Sequence, residues 1–179
     1  GLEAAVSIPL YRSLALNGAV SWGQYTYDSN PYYLQTQDNS GDIVSDGYVY
    51  WKDFRVESTP QTAVNVGLSW RSNNNIYLSA DFNYYNNMYL SMSPIYRTDA
   101  VITGGMAPGD IEHLRRQEKF DSAYTLNASI GKNWYIHRKY TLGFSLDVKN
   151  ILNNQDIKTG GYEQTRLSKN TEPTVTTYQ

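Results

Sequence analysis

The chain has 179 residues, 40% of them hydrophobic and 18% charged, with 15 Lys and Arg against 17 Asp and Glu and no Cys. A net charge of -2 gives no electrostatic footprint for nucleic acid, and the lack of Cys excludes a disulfide scaffold, a zinc-thiolate site and a cysteine nucleophile. Mean hydropathy is -0.57, and no apolar run approaches the roughly 20 residues of a spanning helix, which excludes helical membrane insertion.

In chain order, period-two alternation predicts strands with two unlike faces. Leu2, Ala4, Val6 and Ile8 form the tail of a first strand. Over 12–28 the even positions carry Leu14, Leu16, Gly18, Val20 and Trp22; over 62–71 they carry Val64, Val66, Leu68 and Trp70. Over 76–92 the apolar face holds Ile76, Leu78, Ala80, Phe82 and Tyr84 and continues to Met88, Leu90 and Met92. Over 120–136 it holds Phe120, Tyr124, Leu126, Ala128, Ile130, Trp134 and Ile136, and over 140–152 Tyr140, Leu142, Phe144, Leu146, Val148 and Leu152. The intervening odd positions are mostly Ser, Thr, Asn, Asp and Gly. Several runs exceed the ordinary strand of about 5 or 6 residues. They suit a tilted strand crossing a bilayer, which needs roughly 9 to 11.

The 17 Tyr, with 4 Trp and 4 Phe, cluster near strand ends, as a girdle at two interfaces requires. Connections alternate between short (Pro9-Leu10-Tyr11, Asn73-Asn74-Asn75, His137-Arg138-Lys139) and long (29–47, 93–117 and 153 onward), the rhythm of periplasmic turns and extracellular loops. The stretch 47–59 reads as an ordered loop or an aqueous strand extension, broken by Pro60. Counting it and 161–167 as strands gives about eight, enough for a small eight-stranded outer-membrane barrel as an alternative. A soluble β-sandwich that binds carbohydrate through exposed Tyr and Trp is a further alternative.

Thr59-Pro60-Gln61, Asn83-Tyr84-Tyr85 with Met88-Tyr89-Leu90, Gln117-Glu118-Lys119 and Ser129-Ile130-Gly131-Lys132 resemble the C-terminal barrel region of SusC-like TonB-dependent outer-membrane receptors. So, above all, does Asn150-Ile151-Leu152-Asn153-Asn154 leading into Thr159-Gly160-Gly161-Tyr162-Glu163-Gln164-Thr165-Arg166. The resemblance covers most of the chain from about Trp51 onward. It implies an all-β fold, an antiparallel transmembrane β-barrel segment of about six long strands in a larger barrel of about 22. Residues 1–179 would be a C-terminal portion of that barrel, without the plug and the final closing strand. The absence of an initiator Met or export signal before Gly1-Leu2-Glu3 and of a closing aromatic strand before Gln179 fits an excised segment of a longer protein. The function implied is TonB-dependent uptake of glycans or peptides in the bacterial outer membrane. The implied partners are membrane lipids, a SusD-like surface lipoprotein and TonB, the last reached through the missing N-terminal region.

Candidate substrate contacts are the loop residues Tyr32, Tyr33, Tyr50, Trp51, Arg97, Arg115 and Arg116. Tyr and Trp stack on pyranose faces, and arginines grip anionic groups. Arg71, Asp81, Tyr85 and Asp147 are expected on the lumen face, where hydrating the lumen or bonding the plug is the plainer role. Asp38-Asn39-Ser40-Gly41-Asp42 has oxygens at alternating spacing, but Ile43 and Val49 occupy the places where a calcium loop needs Gly and Glu, so a plain turn is expected. Residues 110–117 read as a short helix capped by Asp110. His113 and His137 have no nucleophile and carboxylate at a suggestive spacing and no glycine-rich phosphate loop occurs, so no enzyme activity and no cofactor or metal is expected.

Overall fold

The computed structural model describes residues 1–57, 59–90, 94–99, 117–156, 162–164 and 175–177. The chain is all-β, with strands β1 (Leu2–Tyr11), β2 (Leu14–Trp22), β3 (Tyr32–Thr36), β4 (Ile43–Tyr48), β5 (Thr62–Arg71), β6 (Ile76–Asn86), β7 (Ala123–Ile136), β8 (Tyr140–Val148), β9 (Tyr162–Gln164) and β10 (Val175–Thr177). A 3-10 turn spans Pro94–Arg97. The chain divides into two units, one of Gly1–Gly23, Pro60–Asn87 and Asp121–Lys158, the other of Gln24–Thr59, Met88–Phe120 and Thr159–Gln179.

The first unit is a single antiparallel sheet in the order β1-β2-β5-β6-β7-β8. Its strands hold 9 to 14 residues. Sequence neighbours within the unit are always spatial neighbours, so the connectivity is that of an up-and-down meander. Apart from a register shift at the β1–β2 turn, where Tyr11 pairs with Leu14, even-numbered residues pair with even-numbered residues: Leu16 with Leu68, Val66 with Phe82, Leu78 with Ile130, Ile130 with Leu146. A one-residue slip at any interface would have sent one strand's apolar set to the other side. Instead all six apolar sets share one face. β1, β2, β5 and β6 run flush, whereas β7 extends past them at the short-turn end and β8 is displaced along the sheet. Val148 therefore lies in the row of Ala128, Ala80, Leu68, Leu16 and Ile8, about six residues in from Leu2.

Much of the even face is exposed. Val66, Leu68, Ile130, Leu146 and Phe144 are each between 43% and 57% exposed, and the only buried hydrophobic residue described in this unit is Ala123. The odd face is small and polar, and its side chains bond across strands in rungs. Ser7 donates to Asn17 (2.7 Å) and Asn17 to Ser69 (3.3 Å); Asn65 donates to Asn83 (2.8 Å), Asn83 to Thr125 (3.2 Å), and Ser79 meets Ser129 (2.7 Å). Three glycines seat larger partners on this face: Asp81 lies over Gly67, the Tyr77 ring over Gly131 and Asn133 over Gly143.

The short links are tight turns. Ser72 N–H bonds the Ile76 carbonyl (2.7 Å), and Lys139 N–H closes on the Ile136 carbonyl (3.1 Å) with His137 and Arg138 both left-handed, at φ 51° and 58°. The alternation read from sequence overruns the strands at the long-loop end. β6 stops at Asn86 because Asn87 turns left-handed (φ 55°), and β8 stops at Val148 before left-handed Asn150 and Asn153.

In the second unit, β3 and β4 form a hairpin inside what the sequence presents as one long loop, and β9 pairs with β10. Both pairs are separate two-stranded sheets, so the six-stranded count, not eight, describes the large sheet. Asp38 to Asp42 form the hairpin tip, with Gly41 (φ 71°) donating to the Gln37 carbonyl (2.8 Å). The helix expected over 110–117 lies outside the described residues except for Gln117, which belongs to no helix.

Candidate functional site

The second unit holds a cleft of about 530 Å³ whose floor is the loop after β4. Val49 N–H bonds the Pro31 carbonyl (2.9 Å), and Val49 bridges Thr98. Asn30 then caps the loop: its Oδ1 accepts from the N–H groups of Trp51 (3.0 Å) and Lys52 (2.8 Å). Asp53 takes a left-handed conformation (φ 70°) with its N–H on the Tyr27 carbonyl (2.8 Å), and Phe54 N–H returns to the Trp51 carbonyl (3.0 Å). Gln117 clips the end of the loop with two bonds to one residue, its Oε1 accepting from Arg55 N–H and its Nε2 donating to the Arg55 carbonyl, each 2.7 Å. Tyr89 closes the other wall, pinned by a bridge to Lys119 and by the Leu90 N–H on the Glu118 carbonyl (2.9 Å).

The cleft is thus lined by half-buried Tyr50, Phe54, Arg55 and Tyr89, with exposed Lys52 and Asp53 at the rim. The Arg55 guanidinium stands 5.9 Å from the centre of the Tyr89 ring. Backbone bonds and side-chain clips fix the loop's shape.

The residues expected from sequence to contact substrate separate. Tyr50 lines the cleft. Trp51 is half-buried against Tyr27, ring centres 4.9 Å apart, and its Nε1 is enclosed with no acceptor among the described residues. Arg97 is 1% exposed, accepts the Tyr50 N–H on its carbonyl (2.8 Å) and sets its guanidinium 5.4 Å from the Phe54 ring. Burial pulls it down to about 10, so it stays charged at neutral pH. It is a post beneath the floor and does not reach solvent. Tyr32 and Tyr33 lie away from the cleft on the β3–β4 hairpin. Tyr33 bonds Ser45 (2.6 Å), and exposed Tyr32 donates to Asp46, the largest cause of its raised pKa. Arg115 and Arg116 lie outside the described residues.

Arg71, Asp81, Tyr85 and Asp147 all fall on the odd face of the sheet but are dispersed along it. Arg71 pairs with Tyr77, Asp81 with Gly67, Tyr85 with Ala63 and Ala123, and Asp147 with Ser129. Tyr85, Asn65, Asn83 and Ser21 line a shallow hollow of about 450 Å³ there. His137 occupies the β7–β8 turn, and His113 lies outside the described residues.

Sequence reasoning missed Asn30, Phe54, Arg55, Tyr89 and Gln117 as one group. Tyr89 follows β6 in the alternation and Gln117 closes a long loop; nothing in spacing links residues so far apart in the chain. Comparison with family models, with curated proteins and with solved structures returns no match for the chain.

Proposed function

We propose that this chain is part of the wall and loops of an outer-membrane β-barrel transporter of the TonB-dependent, SusC-like kind, taking up glycans or peptides with a surface lipoprotein. One observation carries the reading: among the described residues a six-stranded meander presents an apolar face much of which is exposed, backed by a face of cross-linked Ser, Asn and Thr. A soluble sandwich would bury that face at about 10 Å from a second sheet, whereas lipid is a natural solvent for it.

The pattern along the strands supports the same reading. Trp22, Tyr84 and Tyr124 mark the long-loop end of the even face, and Trp70, Trp134 and Tyr140 the short-turn end. Between them the rows are largely aliphatic. At the short-turn end Lys132 stands 5.3 Å from the Trp134 ring and Lys139 5.5 Å from the Tyr140 ring, the usual arrangement where long cations reach from apolar surface toward water. Among the described residues β1 and β8 each pair on one side only, and in hydrocarbon such an edge has to be met by another strand or by closure of the wall.

The test is a spin-label scan of β5 in the reconstituted full-length protein. Labels at 64, 66 and 68 should collide with oxygen dissolved in lipid, and labels at 63, 65, 67 and 69 should not. Even positions shielded from both lipid-borne and aqueous quenchers would mean a protein-covered face and would end the membrane reading. Transport is tested by accumulation of labelled oligosaccharide in cells, abolished by a protonophore.

A further inference from the structure

The short-turn end of the six-stranded sheet differs from the rest of the chain in charge. Residues 9–13, 71–76 and 131–141 carry Arg12, Arg71, Lys132, Arg138 and Lys139 and no Asp or Glu, in a chain whose overall charge is -2. Toward the opposite end of the same unit, Glu3, Asp121 and Asp156 stand against Lys149. Backbone bonds join the turns into one border: Arg71 N–H bonds the Ser13 carbonyl (3.1 Å), and Asn133 N–H bonds the Asn75 carbonyl (3.0 Å). Three of the cations stand near aromatic rings. The Arg12 guanidinium is 5.1 Å from the centre of the Tyr11 ring, Lys132 is 5.3 Å from Trp134 and Lys139 is 5.5 Å from Tyr140. Those rings are 41% to 66% exposed. Among the described residues no carboxylate is paired with any of the five cations.

We infer that this border binds anionic phospholipids, the acyl chains lying on the even face and the headgroup phosphates held by the cations of the turns. The inference rests on the membrane reading of that face and adds to it the chemistry of the lipid. Lys132 decides the class of partner. It belongs to the even face, where its cross-strand neighbours are Ile76 and Phe144, and Phe144 and Leu142 are 57% and 59% exposed. Whatever neutralises Lys132 must also cover apolar surface beside it. An amphiphile with an anionic head does both, whereas a nucleic acid or an acidic protein on the turns would leave Phe144 and Leu142 in water. Charge-assisted bonds to phosphate oxygens are about twice as strong as neutral ones, and Arg offers two in parallel. A zwitterionic headgroup brings its own cation, which these side chains repel. The attraction of one Lys or Arg to an anionic lipid surface corresponds to about fivefold in binding.

Fluorescence quenching by brominated lipids tests it in the full-length protein reconstituted into phosphatidylcholine vesicles. A bimane label on Leu142→Cys, in the row of Trp134, reads the short-turn border, and one on Val64→Cys reads the long-loop half of the same face. Brominated phosphatidylglycerol or brominated phosphatidylcholine is added at equal fraction. At position 142 the phosphatidylglycerol should quench as if enriched about fivefold, and at position 64 the two lipids should quench alike. Raising salt from about 50 to 500 mM should reduce the enrichment. Lys132→Gln and Lys139→Gln should each cut it by about half and together erase it, while Lys149→Gln, toward the other end, should leave it unchanged. Lys139 is exposed in its turn, so its variant reads headgroup binding even where the Lys132 variant disturbs packing. Equal quenching by both lipids at 142 and at 64 would overturn the headgroup site and leave the membrane reading standing, whereas no quenching at either position would overturn both. Enrichment that survives the double variant would overturn the assignment to these cations. Enrichment erased by inorganic phosphate, but not by sodium chloride of equal ionic strength, would mark a site for the free ion and overturn the lipid.

Discussion

The Tyr77 ring lies where a Cβ on Gly131 would be. Glycine inside a strand ordinarily weakens it, but a large cross-strand partner covering the bare backbone recovers packing. Gly131→Ala must push the ring aside and should destabilise the protein by about 1 to 3 kcal/mol. Denaturant unfolding of the Gly131→Ala, Tyr77→Ala double variant should show the two changes to be non-additive, because the ring that clashes is gone. In the β7–β8 turn His137 and Arg138 hold left-handed conformations that cost side-chain-bearing residues about 1 kcal/mol or more. Arg138→Gly should therefore raise stability by about 1 kcal/mol, read from the same unfolding curves. Tyr27 shows how a loop phenol reports its surroundings. Its pKa is raised above the usual 10.0 by burial first, and then by the charge and hydrogen bond of Glu57, 3.1 Å away. The folded state keeps that proton longer than the unfolded chain, so its contribution to stability is complete below about pH 10 and is lost as pH rises through the folded value. Ring-carbon NMR titration, assigned with Tyr27→Phe, should show the high midpoint. Glu57→Gln should lower it only in part, because burial remains.

At the scale of the element, the segment Asn150-Ile151-Leu152-Asn153-Asn154 does what a strand would otherwise do. β8 ends at Val148 beside Ala128, which leaves β7 backbone groups beyond it without a ladder. Ile151 N–H bonds the Leu126 carbonyl (2.8 Å), Asn154 Nδ2 the Tyr124 carbonyl (2.9 Å), and Asn150 N–H the Asn127 side chain (2.9 Å). Asn150 and Asn154 lock this cap through reciprocal bonds of 2.9 and 3.0 Å. Asn154→Ala removes the acceptor for Asp156 N–H as well as the bond to Tyr124, and should cost about 1 to 3 kcal/mol in thermal unfolding. Asn150→Gly keeps the left-handed backbone but loses the lock, so it should be destabilising through hydrogen bonding alone. The second unit uses the same device at Asn30 and Gln117. Alternation of apolar residues said nothing of either, since a side-chain amide that satisfies distant backbone has no periodic signature.

At the scale of the molecule, the six strands were legible because each apolar run had a period of two and ended in a short polar break. Their shared face was not, because parity across strands depends on the register of every hairpin. The consequence is testable in the protein as it stands. Leu68→Arg puts a charge in the middle of the apolar face and, in a bilayer, should cost about 2 to 4 kcal/mol. Ser69→Arg, one residue on, faces the polar rungs and should be tolerated. Heat-modifiable mobility of the folded protein after outer-membrane assembly would separate the two, and equal tolerance would argue for an aqueous even face.

Composition and periodicity by themselves determined an all-β chain of six long two-faced strands with short turns at one end, because those properties are local and survive in any fold that buries or immerses one face. Tertiary structure decided where alternation stops being strand, at Asn87 and Asn150, where left-handed backbone breaks the ladder. It also decided that Arg97 is a buried post and not a contact, and that Tyr89 and Gln117 meet residues 50–55 in one cleft. Those outcomes turn on contacts between residues far apart in the chain, and such contacts leave no trace in the spacing of any one segment.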